Sequence, residues 1–308
     1  MDTRTVGRSD LVVSVAGLGC NNFGMRADAA QTAAIVRAAL DAGVTFFYTS
    51  RMYGGGKSEE FLGAALGKER SRVVIATKFG APTGPDARNG SRETVMAEVE
   101  ASLTALGTDY IDLYQQHYTD ARTPVEETLG ALNELVEQGK VRYIGCSNYS
   151  GWQIADADWT ARTAGLAAFV SLQNEWSLLA RGIETEVIGA CERFGLGVLP
   201  YFPLASGVLT GKVARGAAPP EGSRLNLPYF ATYLTDDNLA AVERLGAWAA
   251  THGRTLHQVA LSYLASSPVT ASVIAGASSP EQVTANAAAT RTDLTDEERA
   301  EITAVVTQ

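Results

Sequence analysis

The sequence predicts an α/β protein with the (β/α)8 TIM barrel architecture, organised as one domain over residues 1–308. Short apolar runs rich in β-branched residues alternate with longer segments whose apolar residues recur at helical spacing. The carboxyl ends of most consecutive runs lie about 30 residues apart, the length of one βα unit. Eight such units with buried, non-alternating strands are what the barrel requires.

The apolar runs place the predicted strands in order along the chain. They are 13–19, 44–48, 73–77, 111–116, 143–147, 168–173, 197–201 and 272–275. A doubly wound sheet is the alternative fold for this alternation. The glycines at 17–24, after the first run, lack the GxGxxG spacing of its dinucleotide-binding turn, which favours the barrel.

Helical periodicity and capping residues define the segments between the strands. The clearest helical patterns cover 29–42, 94–106 and 125–137. Thr123 followed by Pro124 predicts a capped helix start with proline at the first helical position. Ser279 and Thr295 are expected to cap two later helices in the same way.

Two segments lie outside the repeating units. Residues 3–13, with a Gly-Arg-Ser-Asp turn, are predicted to form a β-hairpin that plugs the bottom of the barrel. Residues 203–233 form a Pro/Gly-rich connection too long to be passive, so we expect a functional loop at the top of the barrel.

Composition excludes several classes of protein. The chain is 46% hydrophobic and 19% charged, which is ordinary for a globular protein, and its formal net charge of −9 repels phosphate backbones. The N-terminus lacks the apolar core of a secretory signal, and no run reaches the roughly 20 apolar residues of a membrane span. Three widely spaced cysteines indicate neither disulfides nor a metal knot. We expect a cytoplasmic protein that binds no nucleic acid or membrane, with its oligomeric state left open.

Polar side chains collect at the predicted carboxyl ends of strands, where barrel enzymes hold their chemistry. These positions are Tyr48, Lys78, His117, Ser147, Asn148, Gln173, Tyr201 and Gly276, with Tyr53 close behind the second strand. Lys78 could instead extend its amine out of the barrel, and His117 alone could be a structural histidine. The three histidines have no metal-site spacing, so we predict no metal.

The segment 43–54, GVTFFYTSRMYG, resembles the aldo-keto reductase signature G-[IV]-[NT]-F-F-D-T-A-x-x-Y-G. Residues 58–63 resemble the family's S-E-x-x-L-G, residues 77–80 its lysine motif and residues 109–117 its histidine motif. Further matches follow in family order at 145–149, 173–175, 201–204, 211–212 and 276–286. The resemblance spans the chain and points to the bacterial type related to channel beta-subunits and aryl-alcohol dehydrogenase-like members.

The resemblance implies a reductase that moves hydride from NADPH to an aldehyde or ketone. Tyr53 would be the general acid, a role for which a phenol of pKa about 10 is poorly suited at neutral pH. A cationic Lys78 would lower that pKa, and such acid catalysis contributes about 10²–10⁴-fold. His117 would orient and polarise the carbonyl.

The resemblance also implies an NADPH/NADP+ site across the strand ends. The nicotinamide would contact Ser147, Asn148, Gln173 and Tyr201, and the long loop would close over the phosphates. Preference for NADPH over NADH would rest on Lys212 and Arg224, although Arg224 could equally be a solvated loop charge. The full predicted set is Cys20, Asn21, Ser147, Asn148, Gln173, Tyr201, Pro203, Leu204, Lys212, Arg224, Gly276, Ser278, Gln282 and Asn286.

One residue departs from the pattern at its catalytic aspartate, where this chain has Tyr48. A phenol cannot pair with Lys78, so we expect a lowered lysine pKa and a reductase weakened by about two to three orders of magnitude. Three explanations stay open: an engineered or selected substitution, a natural NADP(H)-binding protein that senses rather than turns over, and a pocket reshaped for another substrate. Phe202, where many members carry serine, is treated as family variation.

The substrate is expected to be a small carbonyl compound in an open, permissive pocket. Strand-end loops supply the candidate walls of that pocket, namely Phe23, Arg51, Tyr118, Trp176 and Tyr229. The natural substrate stays open.

Overall fold

The computed structural model, which describes residues 1–82, 84 and 87–307, arranges eight parallel strands in one sheet. The strands are β3 (Ala16–Gly19), β4 (Phe46–Tyr48), β5 (Val74–Phe79), β6 (Ile111–Gln116), β7 (Val141–Ser147), β8 (Ser171–Gln173), β9 (Gly197–Val198) and β10 (Val273–Gly276). They follow one another in chain order, and β10 pairs with β3. The ring is completed because Ala271 N–H donates to the Val198 carbonyl at 2.9 Å and Ile274 N–H donates to the Pro200 carbonyl at 3.1 Å. The predicted barrel is confirmed.

Most helices cover the outside of the ring between the strands, whereas a four-residue helix at 228–231 belongs to the long connection after β9. They are α1 (Ala29–Asp41), α2 (Lys57–Leu66), α3 (Arg92–Leu106), α4 (Val125–Glu137), α5 (Gly151–Ala164), α6 (Val187–Phe194), α7 (Pro228–Ala231), α8 (Asp236–Thr251), α9 (Leu256–Ala265), α10 (Pro280–Ala289) and α11 (Asp296–Thr307). Within the described part of the chain, none of these helices has the length and apolarity needed to cross a membrane.

Two of the three predicted helix caps are confirmed. Ser279 caps α10 by accepting a hydrogen bond from a backbone N–H, and Thr295 does the same before α11. The prediction at Thr123 is wrong. Helix α4 begins at Val125 without a side-chain cap, because the Thr123 hydroxyl donates to Asp120 Oδ2 at 2.7 Å instead.

The strand boundaries differ from the prediction at the first run and at β9. The run 13–19 is divided: its first residues belong to a hairpin strand, β2 (Val12–Ser14), and only Ala16–Gly19 enters the barrel. At β9 the strand stops at Val198 rather than at residue 201, since Pro200 has no N–H to donate to a ladder.

The predicted N-terminal hairpin is present and lies at the bottom of the barrel. Strand β1 (Thr3–Thr5) pairs antiparallel with β2. The turn between them packs Gly7, with φ +55°, against the starts of β8 and β9. A Cβ on Gly7 would lie 2.4 Å from the Gly195 carbonyl oxygen, so only glycine fits this contact.

The hydrophobic core has two parts separated by the strands. The larger part lies between the sheet and the helices. The smaller part, here called the interior cluster, fills the barrel itself and joins the plug to the inward-facing strand residues. Its members are Val6, Leu11, Val13, Phe46, Tyr48, Ala76, Leu113, Val170, Leu199, Ala271 and Ile274. Tyr48 therefore belongs to the packed interior as well as to a strand end.

Candidate active site

The carboxyl ends of β4, β5 and β6 bring the four predicted catalytic residues together at the open end of the barrel, called the mouth below. Lys78 Nζ lies 3.2 Å from Tyr53 Oη and donates to the Thr49 carbonyl at 3.0 Å. The Tyr53 and His117 rings meet edge to face with centroids 6.2 Å apart. A phenol, an amine and an imidazole thus lie close together at the mouth.

A glycine turn fixes Tyr53. Gly54 and Gly55 follow it with φ of +58° and +65°, in the left-handed region that favours glycine. A Cβ on Gly54 would lie 2.8 Å from the Phe23 carbonyl oxygen, so the turn packs closely on the loop after β3. The phenol is thereby held over the lysine at the end of β5.

The ring of Tyr48 lies directly beneath the lysine. Lys78 Nζ stands 3.7 Å from the centroid of the Tyr48 ring, a cation–π geometry. The ring also meets Phe46 edge to face at 6.0 Å. The Tyr48 side chain is buried, and its hydroxyl has no hydrogen-bond partner among the described residues. The aromatic face thus occupies the place where the family pattern has a carboxylate.

Burial controls the charge of Lys78. The side chain is completely buried, and desolvation lowers its pKa well below the ordinary lysine value. The thiol of Cys20 and the carboxyl of Glu59 raise that pKa only in part. Glu59 lies behind the strand, where it accepts a hydrogen bond from Thr77 Oγ1 at 2.6 Å and pairs with Arg51 at 3.6 Å. No carboxylate contacts the Lys78 amine within the described residues.

His117 is neutral in this site. Burial, and secondarily the positive charge of Lys78, lower its pKa to about 2. Its ring stacks on Tyr118 at 4.5 Å with a 12° interplanar angle. Its Nδ1 lies 3.2 Å from Ser50 Oγ, and its backbone carbonyl accepts from Asn148 Nδ2 at 2.9 Å. Burial likewise raises the pKa of Tyr53 above its usual value.

Four predicted nicotinamide contacts adjoin this group at the ends of β7, β8 and β9. Asn148 has φ +60°, and its Nδ2 also approaches Ser147 Oγ at 3.1 Å. Tyr201 Oη donates to Asn148 Oδ1 at 3.0 Å, and Ser147 Oγ donates to the Gln173 carbonyl at 2.7 Å. These hydrogen bonds connect the backbone of His117 to the predicted nicotinamide-binding residues.

The long loop, residues 203–233, forms a strap across the mouth. Arg224 Nη2 donates to Asn22 Oδ1 at 2.8 Å, and the guanidinium lies 5.0 Å from the Phe230 ring centroid. Arg224 is therefore a held residue rather than a solvated charge. Ser206 has φ +57° and a buried hydroxyl that finds no partner in the described part of the chain.

The remaining predicted cofactor residues lie around the start of α10. Asn286 Nδ2 donates to the Gly276 carbonyl at 3.3 Å, and Asn286 Oδ1 contacts His257 Nε2 at 2.9 Å. Gln282 Oε1 accepts from the backbone N–H of Ser278 at 2.9 Å. Lys212 on the strap is exposed, Asn21 and Leu204 are half-buried, and Pro203 is buried.

Cys20 and two predicted pocket walls do not have the expected environment. The Cys20 thiol is fully buried and contacts the Leu18 carbonyl at 3.6 Å, so it presents no group to a ligand. Phe23 and Trp176 are also buried, with exposures of 0% and 2%. Both belong to the larger core cluster between the sheet and the helices. Arg51, Tyr118 and Tyr229 do reach the surface.

Three residues of the site were missed by the sequence analysis. Ser50 is buried against the imidazole, Asn22 holds the strap, and His257 contacts Asn286. A signal existed for Ser50, since it stands where the quoted family pattern has alanine. Asn22 and His257 carried none, because their contacts join segments far apart in the chain.

Comparison with known proteins agrees with this geometry. The Aldo/keto reductase family model matches residues 16–307. A probable voltage-gated potassium channel subunit beta of Oryza sativa subsp. japonica is 38% identical over 93% of this chain and 90% of its own length. A probable aldo-keto reductase 1 of Glycine max is 37% identical over 84% of this chain and 75% of its own length. An uncharacterized oxidoreductase of Bacillus subtilis (strain 168) is 36% identical over 92% and 89%. The chain belongs to the aldo/keto reductase family, a membership that supports oxidoreductase activity on carbonyl compounds.

Proposed function

We propose that this chain is an NADPH-dependent reductase that converts a small aldehyde or ketone to an alcohol, with activity lowered because Tyr48 replaces the family aspartate. The observation that carries the proposal is the 3.2 Å contact between Lys78 Nζ and Tyr53 Oη beside the His117 ring. These are the acid, its tuning amine and the carbonyl-orienting imidazole that the family resemblance implies. We further propose that residues 1–308 form one cytoplasmic domain.

The residues at the mouth fit a dinucleotide. The Ser206 hydroxyl, which has no partner among the described residues, suits a phosphate group, as do the strap cations Lys212 and Arg224. The side chain of Gln173 and the ring of Tyr201 suit a carboxamide and an aromatic ring. When bound, the nicotinamide supplies the hydride, and the side chains of this protein supply the proton and orient the carbonyl group.

Tyr53 holds the proton that a reduced carbonyl oxygen needs. Burial raises its pKa, so the phenol is fully protonated at neutral pH and gives up its proton only when a neighbouring charge stabilises the phenolate. Lys78, hydrogen-bonded to Tyr53, is that neighbour. His117 is neutral and can donate a hydrogen bond to the same oxygen without competing for the proton.

Tyr48 limits how well Lys78 can make Tyr53 acidic. The ring face gives Lys78 a cation–π contact but no negative charge, and burial lowers the lysine pKa. A smaller fraction of Lys78 then carries the proton that makes Tyr53 acidic. The reductase should therefore work best at low pH and lose activity as the pH rises through the lowered lysine pKa.

The mouth favours an uncharged substrate with an apolar or aromatic body. Met25, Met52 and Tyr229 are exposed around it, and Tyr118 is exposed on the face away from His117. Large exposed apolar side chains grouped at one end of a barrel are suited to apolar ligands.

A non-catalytic NADP(H)-binding protein is the second candidate. The observation that favours it is that no carboxylate among the described residues contacts the Lys78 amine, where Tyr48 lies instead. This loss weakens the chemistry and does not alter the predicted cofactor residues. Relatives named as probable voltage-gated potassium channel beta-subunits support such a role for a chain of this family.

The test is NADPH oxidation with an activated aromatic aldehyde, run beside a fluorescence titration of NADPH binding. Turnover that disappears in Tyr53→Phe while NADPH still binds would support the reductase. Tight binding with no turnover at any pH would support the second candidate. Failure to bind either nicotinamide cofactor would contradict both.

A further inference from the structure

The buried hydroxyl of Ser50 contacts His117, one of the predicted catalytic residues. Ser50 lies two residues after the end of β4, is 1% exposed, and places Oγ 3.2 Å from Nδ1 of His117. The backbone N–H of Met52 donates to the same Oγ at 3.4 Å. The quoted family pattern has alanine at this position, so the hydroxyl is a feature of this chain rather than of the pattern.

A neutral imidazole carries one proton, and which nitrogen holds it decides what the ring can do. The other ring nitrogen of His117, Nε2, makes no hydrogen bond to the described part of the chain, whereas Nδ1 faces Ser50. If Nδ1 held the proton, Nε2 would present a lone pair and would repel a carbonyl oxygen. If Nε2 holds the proton, it donates to that oxygen.

Hydrogen-bond accounting at Ser50 selects between these forms. A buried hydroxyl needs an acceptor for its own proton. Ser50 Oγ already accepts from Met52 N–H, and the His117 Nδ1 lone pair is the acceptor that the described residues offer it. This accounting favours the form in which the hydroxyl donates to Nδ1, which leaves the ring proton on Nε2.

We propose that Ser50 is a positioning residue that holds His117 in the Nε2–H tautomer, aimed at the carbonyl oxygen of the substrate. The inference rests on the proposed reductase for its catalytic consequence and on geometry alone for the tautomer. Two further contacts keep the ring from turning: the stack on Tyr118 and the hydrogen bond from Asn148 to the His117 carbonyl.

The tautomer can be measured without turnover by long-range ¹H–¹⁵N NMR on the full chain labelled at histidine. The chain has three histidines, so a His117→Gln variant assigns the signals. We expect the wild-type His117 to show a protonated Nε2 and an unprotonated Nδ1 at neutral pH. Ser50→Ala should lose this bias, and Ser50→Thr, which restores the hydroxyl, should recover it.

Kinetics give the second readout. Ser50→Ala should lower kcat for carbonyl reduction by about fivefold to tenfold, the effect of one lost hydrogen bond, with NADPH affinity unchanged and activity recovered in Ser50→Thr. If wild-type turnover is too slow, the same pair is compared in a Tyr48→Asp background. The inference is overturned if wild-type His117 carries its proton on Nδ1, or if Ser50→Ala keeps the wild-type signals. A chain that shows the expected tautomer but no reduction at all would refute the proposed function and leave the tautomer assignment standing.

Discussion

Replacing Tyr48 by aspartate tests how much the ring contributes beneath Lys78. The amine now lies 3.7 Å from the ring centroid in a fully buried setting, where a cation–π contact is worth about 2 kcal/mol. A carboxylate at about 4 Å would contribute about 4 kcal/mol at an effective dielectric constant of 20. The difference of about 2 kcal/mol corresponds to about thirtyfold in rate. This is below the two to three orders expected from sequence, because the ring replaces part of the lost attraction.

The same substitution should weaken the fold. Tyr48 belongs to the interior cluster, and removing a large buried aromatic side chain costs about 3–5 kcal/mol. The assay therefore pairs kcat for NADPH-dependent aldehyde reduction at 25 °C with urea unfolding of each variant. We expect Tyr48→Asp to gain activity while losing stability.

Tyr48→Asn is the matched control, since asparagine leaves the same cavity but brings no charge. It should also lose stability relative to the wild type, but without the gain in rate. Equal activity in the aspartate and asparagine variants would refute the electrostatic reasoning. Raising the Lys78 pKa should also move the upper limb of the pH–rate profile to higher pH in Tyr48→Asp alone.

The other expected outcomes need simpler measurements. Tyr53→Phe should lower kcat by about 10²–10⁴-fold, since it removes the acid, and leave NADPH affinity within about twofold; a normal rate would remove Tyr53 from the mechanism. Tyr48→Phe deletes a buried hydroxyl that has no partner among the described residues and should raise the free energy of unfolding by about 1 kcal/mol in urea, with unchanged kcat. His117 has a pKa of about 2 in the fold against about 6.5 when unfolded, so the unfolded chain binds the extra proton. Its stabilisation is full above about pH 6.5 and is lost as the pH falls, by about 1.4 kcal/mol per unit, a slope that His117→Gln should remove. Arg224→Met should weaken NADPH binding about tenfold or more, and Asn22→Ala, which releases Arg224, should not; equal losses would assign Arg224 to holding the strap alone.

The barrel was predictable because its signals are local. Each βα unit carries its own apolar run and helical pattern, and a glycine turn or a capping serine marks an end without reference to distant residues. Errors arose where a side chain had a second possible partner or where one residue interrupted a strand. Thr123 donates to Asp120, three residues earlier, rather than capping α4. The strand predicted to end at residue 201 stops at Val198 because Pro200 has no N–H to donate.

In the candidate site, local motifs identified the reactive residues, whereas their partners come from distant parts of the chain. Lys78, Tyr53 and His117 were identified because motifs and strand ends mark them in the sequence. The partners that orient them were not, since Ser50 meets His117 across 67 residues and Asn22 meets Arg224 across 202. The burial of Cys20 likewise depends on the fold. Its thiol is fully buried and so cannot contact a cofactor.

The plug at the bottom of the barrel has a consequence for the order in which the chain acquires its structure. The guanidinium of Arg4 donates to the carbonyls of Ser267 and Thr270, more than 260 positions away in the chain. Those acceptors are synthesised more than 260 residues after Arg4, so the plug cannot dock while the intervening βα units are being made. Closure of the ring and docking of the plug therefore belong to one late step, which seals the interior cluster. A substitution at Gly7 should consequently slow that final step more than it disturbs the earlier βα units.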